Sequence, residues 1–568
     1  MHGEWTFSPD QVPAAFLEYY KCLLGTKLEA RTSVKDQIVH NGPLVTAVMS
    51  SGLNAPFTKE EIKSALWDID GGKAPGPDGF GSSFSKVFGV TLGKMLRVVL
   101  PDLIAQNQGA FDHSRFIAHN IMVCQDLVKG YERKNSSASC LIKMDVQKAY
   151  DTVEWDFVEE MMAALKFPAH FIKLIMQCVK SPRFSLNFEG GGGKKDFKYH
   201  PRCKGSKLNH LCFADDLILC CKGFFKFVYL MMQGFKLFPV TTGLQGSPSK
   251  TFVYYTGMSE SNIHRILDMT GFSKGRFPFR YLGLPICSNK IIVGECEKIV
   301  ENMCARIKIR SSRNMSFAGR LTLVNSVLMT LQTYWSRIMV LPKGVYNTIN
   351  TICRNFLWKG TADATGPGKV AWGSICKSKK EGGLGLTNLK LWNIAAMGNH
   401  VWMVATKKDN MWVRWVNTVY IKDGNWWDYT PKVGDNWYWR AIGTVKEWMK
   451  RYLTEVQLSS MPKYAIKEAY CCLAPVVCKV PWTNAVWDKL SIPKHRFISW
   501  LAMLERLNTK DILVKMGITA DMLCFLCGSA VENHKHLFFE CHYSARCWLE
   551  CSTKDGMQNA PKSLSGLF

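Results

Sequence analysis

The chain has 568 residues, with 72 Lys and Arg against 46 Asp and Glu, giving a net charge of +26. Its apolar content of 47% excludes a disordered chain, and its length allows several packed domains. The charge excess favours a polyanionic partner, with nucleic acid ahead of an anionic membrane surface.

Other compositional features point the same way. Lys222 and Lys226 interrupt the most apolar stretch, so no membrane span of about 20 residues is predicted. The start, Met1-His-Gly-Glu-Trp-Thr-Phe7, lacks a secretory pattern. The 21 cysteines are odd in number and scattered, so reduced thiols are expected in a nuclear or cytoplasmic, non-secreted protein.

Residues 1–59 read as a mixed lead-in, with loops at Gly42-Pro43 and Asn54-Ala-Pro56. Thr58-Lys-Glu-Glu61 has the pattern of a capping box and opens a short helix. Farther on, the apolar run Leu141-Ile-Lys-Met144 is strand-like and ends in Asp145. A helical pattern follows from about Trp155, with Phe157, Met161 and Leu165 on one face.

Between Leu211 and Cys220, two adjacent acids, Asp215 and Asp216, interrupt an apolar segment with Gly223 beyond it. The pattern predicts two short strands joined by a tight turn, with the acids at the bend. Like charges about 4 Å apart repel by roughly 4 kcal/mol at an effective dielectric near 20. A bridging cation removes that cost and converts it into affinity. Two solvated turn acids are the plainer alternative. Asp145 at a strand end, with the hairpin pair, supplies oxygen ligands for two hard cations. Two such metals clamp the attacking and leaving oxygens of a phosphoryl transfer.

A long helix is predicted from about Ser316, with Phe317, Leu321, Val324, Leu328, Leu331 and Trp335 on one face, ending at Pro342. Beside it lie Arg306, Lys308, Arg310, Arg313 and Arg320, a set that can contact a nucleic-acid backbone or form a solvated basic face. Residues 346–475 are rich in tryptophan, expected mostly as core rather than as base-stacking surface. Near the end, Cys524, Cys527, His536 and Cys541 follow the spacing C-x2-C-x8-H-x4-C. Four such ligands suit tetrahedral Zn²⁺, with buried free cysteines as the alternative. His534 is an alternative ligand, and His542 and Cys547 are outside candidates.

These segments resemble, in order, the landmarks of reverse transcriptases of the plant LINE-type (non-LTR) retrotransposons. Lys73-Ala-Pro-Gly-Pro-Asp-Gly-Phe80 resembles the opening of the fingers. Asn107-Gln-Gly-Ala-Phe111, with Arg115 and Asn120, resembles the stretch leading into the palm. The Asp145 and Asp215-Asp216 segments resemble the first and third palm motifs. Thr242-Gly-Leu-Gln-Gly-Ser-Pro-Ser-Lys250 resembles the fourth, and Arg280-Tyr-Leu-Gly-Leu-Pro285 the primer grip. Ser316-Phe-Ala-Gly-Arg320 and Glu381-Gly-Gly-Leu-Gly385 resemble later landmarks, and residues 482–548 resemble the zinc-binding domain that ends these enzymes.

The resemblance implies that Asp145 and Asp215 hold both Mg²⁺ ions with Asp216 in support. It also implies that Tyr150 blocks a ribose 2′-OH and that Lys250 protonates the leaving pyrophosphate. The implied partners are an RNA template and an RNA–DNA hybrid.

Two departures stand out. Only 70 positions separate Asp145 from Asp215, and no Gln-Gly-Asp-Pro run of the second palm motif lies between them. Instead Ser185-Leu-Asn-Phe-Glu passes through Gly190–Gly193 to Lys194. The fingers strands expected between Val90 and Lys94 are likewise missing.

The expected fold is α+β: a right hand of fingers, palm and thumb with incomplete palm and fingers, then a largely helical C-terminal region with a small zinc module. The expected segments are the lead-in 1–59, truncated fingers and palm 60–290, thumb-like helices 291–345, the tryptophan-rich connector 346–475 and the zinc-binding domain 476–568. The expected function is that of a retrotransposon-derived RNA-directed DNA polymerase, internally deleted or misspliced, and inactive. The alternative is a nucleic-acid-binding protein without chemistry. No endonuclease segment is expected ahead of the palm.

Overall fold

The computed structural model describes residues 31–67, 83–110, 115–146, 153–179, 197–244, 246–310, 315–328, 333–362, 366–475, 478–488 and 490–554. Tyr150, Arg313, Lys73–Phe80 and Gly190–Gly193 lie outside them, and the side chain of Arg310 is also not described. The chain forms two compact units, one of residues 1–290 with 403–439 and the other of 291–402 with 440–568. The segment read as a single connector, 346–475, is thus divided, with 403–439 belonging to the first unit.

The first unit is built on a five-stranded sheet. Its strands are β1 (Ser139–Asp145), β2 (His210–Phe213), β3 (Asp216–Lys222), β4 (Phe252–Thr256) and β5 (Ser273–Lys274), in the spatial order β2-β3-β1-β4-β5. The pairs β1–β3, β1–β4 and β2–β3 are antiparallel, and β4–β5 is parallel. The helices Trp155–Ala164 and Ala169–Val179 lie between β1 and β2, and the helix Phe225–Thr242 between β3 and β4. The result is the β-α-β-β-α-β arrangement of ferredoxin-like domains.

The period-2 alternation of strands decides which residues face the helices. Cys140, Ile142 and Met144 of β1, with Leu217, Leu219 and Cys221 of β3, share a core with Phe157, Phe171, Ile175, Val228 and Phe235. Each such fully buried large apolar side chain contributes roughly 1.5–3 kcal/mol. The opposite face carries Leu141, Lys143 and Asp145 beside Cys220, Ile218 and Asp216. A second hairpin, β6 (Phe279–Tyr281) and β7 (Leu284–Ile286), turns through Leu282 and Gly283 at φ 50° and 81°. That is the sequence resembling a primer grip.

The 403–439 segment is tied to the helix Ile117–Leu127 through one buried carboxylate. Asp126 is fully buried and accepts hydrogen bonds from Trp415 Nε1 (2.8 Å), Tyr438 Oη (2.8 Å), Asn436 Nδ2 (3.0 Å) and the Tyr420 hydroxyl. Arg202 Nη1 stands 3.6 Å away. Trp412, Trp415, Trp426 and Trp439 are all buried, so these four tryptophans are core, while Trp427 and Trp437 are half-buried.

The second unit is helical. The helix expected from Ser316 to Pro342 is not regular throughout its described residues, and its helical turns end at Ser336. Ser316 caps Phe317–Leu323 by accepting from Gly319 N–H, a π-helical turn spans Val324–Leu328, and a short helix Thr333–Ser336 follows. The hydroxyls of Thr322 and Ser326 bond back to Ala318 and Thr322 carbonyls at 3.0 and 2.7 Å, a pattern that bends helices. Pro342 then caps the next helix, Lys343–Lys359. Among the described residues, no helix is long and apolar enough to cross a membrane.

Candidate metal centres

The hairpin that carries the acid pair is held from three sides. Ala214 and Asp215 form its two-residue loop, Ala214 at φ 55°, and Asp216 opens β3. β1 sits alongside, so Asp145 pairs directly with Asp216 in the ladder, and Val146 N–H donates to Asp215 O at 3.1 Å. On the other edge, Gln108 bridges Cys212 in parallel, and Asn120 Nδ2 donates to Cys212 O at 2.9 Å. Gly109 donates its N–H to that same carbonyl at 2.8 Å. A Cβ on Gly109 would stand 2.6 Å from Asn120 Oδ1, so the close approach requires glycine here. The stretches around Asn107 and Asn120 therefore brace the Asp215-Asp216 hairpin.

Two lysines attend the acids. Lys143 Nζ lies 3.0 Å from Asp216 Oδ1, and Lys250 Nζ lies 3.1 Å from Asp145 Oδ2. Lys250 comes from the 3₁₀ turn Pro248–Lys250, positioned because Ser247 N–H donates to Asp145 O at 2.9 Å. Burial raises the Asp216 pKa; Lys143 opposes the rise, and Asp215 and Asp145 add to it. Sequence patterns did not single out Lys143, although its place two residues before Asp145 puts both on one face.

The carboxylates of Asp145, Asp215 and Asp216 offer the oxygen donors that Mg²⁺ takes. Among the described residues, however, they do not converge as a ready metal group; that distinction belongs to the C-terminal quartet. The basic set is spread out: Arg306 and Lys308 are exposed on the helix Glu297–Arg310. Arg320 turns inward, its Nη1 3.5 Å from Leu357 O and its guanidinium 5.4 Å from the Phe317 ring.

The quartet is Cys524, Cys527, His536 and Cys541, whose ligand atoms all lie within 4.8 Å of one another. Tetrahedral zinc with bonds of about 2.3 Å sets its sulfurs about 3.8 Å apart, so this donor set fits the ion. Cys524 and Cys527 sit on a tight turn: Gly528 N–H donates to Cys524 O at 2.8 Å with Gly528 at φ 67°, and Cys524 N–H to Ala530 O at 2.8 Å. His536 and Cys541 bound one π-helical turn, closed by a 2.7 Å bond from Cys541 N–H to His536 O. Cys527 Sγ and His536 Nε2 are 3.2 Å apart.

Hydrogen bonds from the Ser529 side chain and backbone hold the Cys527 thiol down to about 5, whereas burial raises that of Cys524. The lowered pKa favours the thiolate, the form that binds metal. His534, the alternative ligand, lies outside the converging group, and its Nε2 accepts from Leu507 N–H at 3.1 Å. His542 and Cys547 begin and line the helix that follows, outside the quartet. Glu532, which no spacing pattern marks, is buried and accepts from Phe525 N–H at 3.0 Å and Lys510 N–H at 3.1 Å, fixing the turn between the two cysteines.

Residues 464–548 match the family described as zinc-binding in reverse transcriptase, a span that contains all four ligands. A protein of Arabidopsis thaliana named as a putative ribonuclease H protein is 30% identical over 163 residues, covering 28% of this chain and 26% of that protein. The chain thus matches about a quarter of that relative's length. Over residues 464–548 the chain is similar to the zinc-binding domains of reverse transcriptases.

Proposed function

We propose that this chain derives from a plant LINE-type retrotransposon reverse transcriptase, retains the carboxylate frame of two-metal nucleotidyl transfer, and does not turn over as a polymerase. The observation that carries this reading is the ladder pairing of Asp145 with Asp216. Two segments far apart in sequence meet on one face of a β-α-β-β-α-β sheet, at the tip of the hairpin that holds Asp215. The zinc-domain match supports the same ancestry.

In such a site Asp145 and Asp215 would hold Mg²⁺, which clamps the reacting phosphoryl oxygens when bound. Asp216 would support them, and Lys250 stands beside Asp145, where a leaving pyrophosphate could draw its proton. Tyr150, outside the described residues, would wall off the ribose. Loss of turnover follows from the missing second palm motif. Catalysis by positioning loses on the order of 10²-fold for a displacement of about 1 Å. Primer extension on an RNA template with Mg²⁺, compared with Asp215→Ala/Asp216→Ala, is the test. Equal background signal from both proteins is expected, and template-dependent synthesis by the wild type alone refutes the loss of activity.

A second reading is a nucleic-acid-binding protein without chemistry. The lysines already paired with Asp145 and Asp216 favour it, as does the net charge of +26. Binding to an RNA–DNA hybrid should then weaken steeply with salt. Affinity independent of salt rules out a phosphate-binding surface.

A further inference from the structure

The end of the sheet remote from the aspartates has its own distinctive surface. β3 runs from Asp216 to Lys222, about 20 Å at roughly 3.3 Å per residue. At its far end the chain enters the helix Phe225–Thr242. Aromatic and cationic side chains gather there. Phe224 is 45% exposed and Tyr229 42% exposed, and Phe225 stacks on Tyr229 with centroids 6.1 Å apart. Arg265 Cζ lies 4.1 Å from the Phe225 centroid, Lys222 Nζ 5.1 Å from that of Phe224, and Lys198 Nζ 5.8 Å from that of Phe227. Lys226 is exposed between them.

Cations outnumber acids at this end. From Phe197 to Thr242 the acids are Asp215 and Asp216, both at the opposite end of β3. On the neighbouring helix Glu260–Thr270, Glu260 and Asp268 flank Arg265. Exposed large aromatics cost solubility unless something covers them. Rings interleaved with cations suit one ligand class in particular, because a base can stack on the ring while a phosphate meets the cation.

We propose that Lys222, Phe224, Lys226, Tyr229 and Arg265 bind single-stranded nucleic acid at the end of the sheet remote from the aspartates. The proposal rests on the nucleic-acid reading above and adds a second binding surface to it. A strand held there would be tethered by stacking and by phosphate–cation pairs without sequence preference, well away from the carboxylates.

The test uses the full chain and a fluorescent 20-nucleotide oligo(U), followed by anisotropy across a salt series. Phe224→Ala/Tyr229→Ala is expected to weaken binding about tenfold or more with the salt slope unchanged. Lys222→Ala/Lys226→Ala is expected to flatten the slope, by about 0.7 for each phosphate no longer neutralised. Phe224→Tyr/Tyr229→Phe keeps the rings and should bind as the wild type does, which separates lost stacking from lost folding. Wild-type affinity and slope in both alanine variants overturn the proposal while leaving nucleic-acid binding elsewhere intact. A wild type that binds no oligonucleotide at any salt overturns the underlying reading as well. Ring-dependent capture by phosphatidylserine vesicles, without oligo(U) binding, assigns the surface to a membrane and also overturns the proposal.

Discussion

Lys250 Nζ lies 3.1 Å from Asp145 Oδ2, so the acid at the end of β1 already has a cation on it. The lysine side chain is 71% exposed, and such pairs contribute about 0–1 kcal/mol. On the proposed two-metal reading, a divalent ion would displace it. Lys250→Ala should leave urea stability within about 0.5 kcal/mol of the wild type and tighten Mn²⁺ binding several-fold, measured by electron paramagnetic resonance. Weaker Mn²⁺ binding in the variant refutes competition between lysine and metal.

Lys143 and Asp216 form the more enclosed pair, and their coupling has a pH signature. Burial raises the Asp216 pKa above its ordinary 3.8, so the folded protein holds this proton more tightly than the unfolded chain does. Stability from this group is therefore present at low pH and falls as pH rises from about 3.8 through the raised value. Asp216→Asn should remove that fall. Lys143→Met removes the main cause that lowers the pKa, so it should carry the fall to higher pH. Urea unfolding across a pH series reads both effects. Parallel stability curves for wild type and Asp216→Asn would mean that burial does not raise the Asp216 pKa.

The sequence revealed the local pieces of this site better than their surroundings. The acids at the hairpin bend, Asp145 at a strand end and the capping box at Thr58 all follow from short-range patterns. Thr58 N–H donates to Glu61 Oε2 at 2.9 Å, and Glu61 N–H to Thr58 Oγ1 at 3.2 Å. The π-helical turn after Leu323 leaves no sequence signal, because apolar periodicity continues through it while the Thr322 and Ser326 hydroxyls bond back to the preceding turn. The Asp126 hub is hidden for a different reason: its donors lie 289 to 312 residues away, and no local pattern marks a buried acceptor. Lys143 and Glu532 serve as partners of named residues, and only proximity in space identifies them.

The C-terminal quartet predicts a metal stoichiometry. The chain as isolated should contain one Zn²⁺, measured by inductively coupled plasma mass spectrometry. Cys541→Ser should lower both that content and the melting temperature, because binding to a structural zinc site contributes directly to folding. Metal content unchanged in Cys541→Ser would show that the buried thiol is packing only.

Glu532 orients the turn that bears Cys524 and Cys527 without touching the site's donor atoms. Outer partners of this kind cost about 10–100-fold in metal affinity when removed. Glu532→Gln keeps one acceptor oxygen and should lose less than Glu532→Ala. Competition with a chromophoric zinc chelator measures both, and equal affinity across the series argues that Phe525 and Lys510 N–H groups position nothing.

Asp126 holds 403–439 against the helix Ile117–Leu127 through four side-chain donors, with Arg202 beside it. Asp126→Ala leaves those buried donors, and the guanidinium, without an acceptor. Removing one partner from a buried charged network typically costs about 3–5 kcal/mol, so urea unfolding should show a loss of that size. Asp126→Asn keeps the shape but swaps an acceptor oxygen for a donor facing other donors, so it should recover little of the loss. The consequence reaches the acids, because Asn120 on the same helix donates to Cys212 O at the hairpin. Loosening the helix should therefore speed amide exchange across Cys212–Asp216 as well as 403–439. Exchange confined to 403–439 would mean that the hub stabilises only the segment it binds, and that the hairpin keeps its geometry through β1 alone.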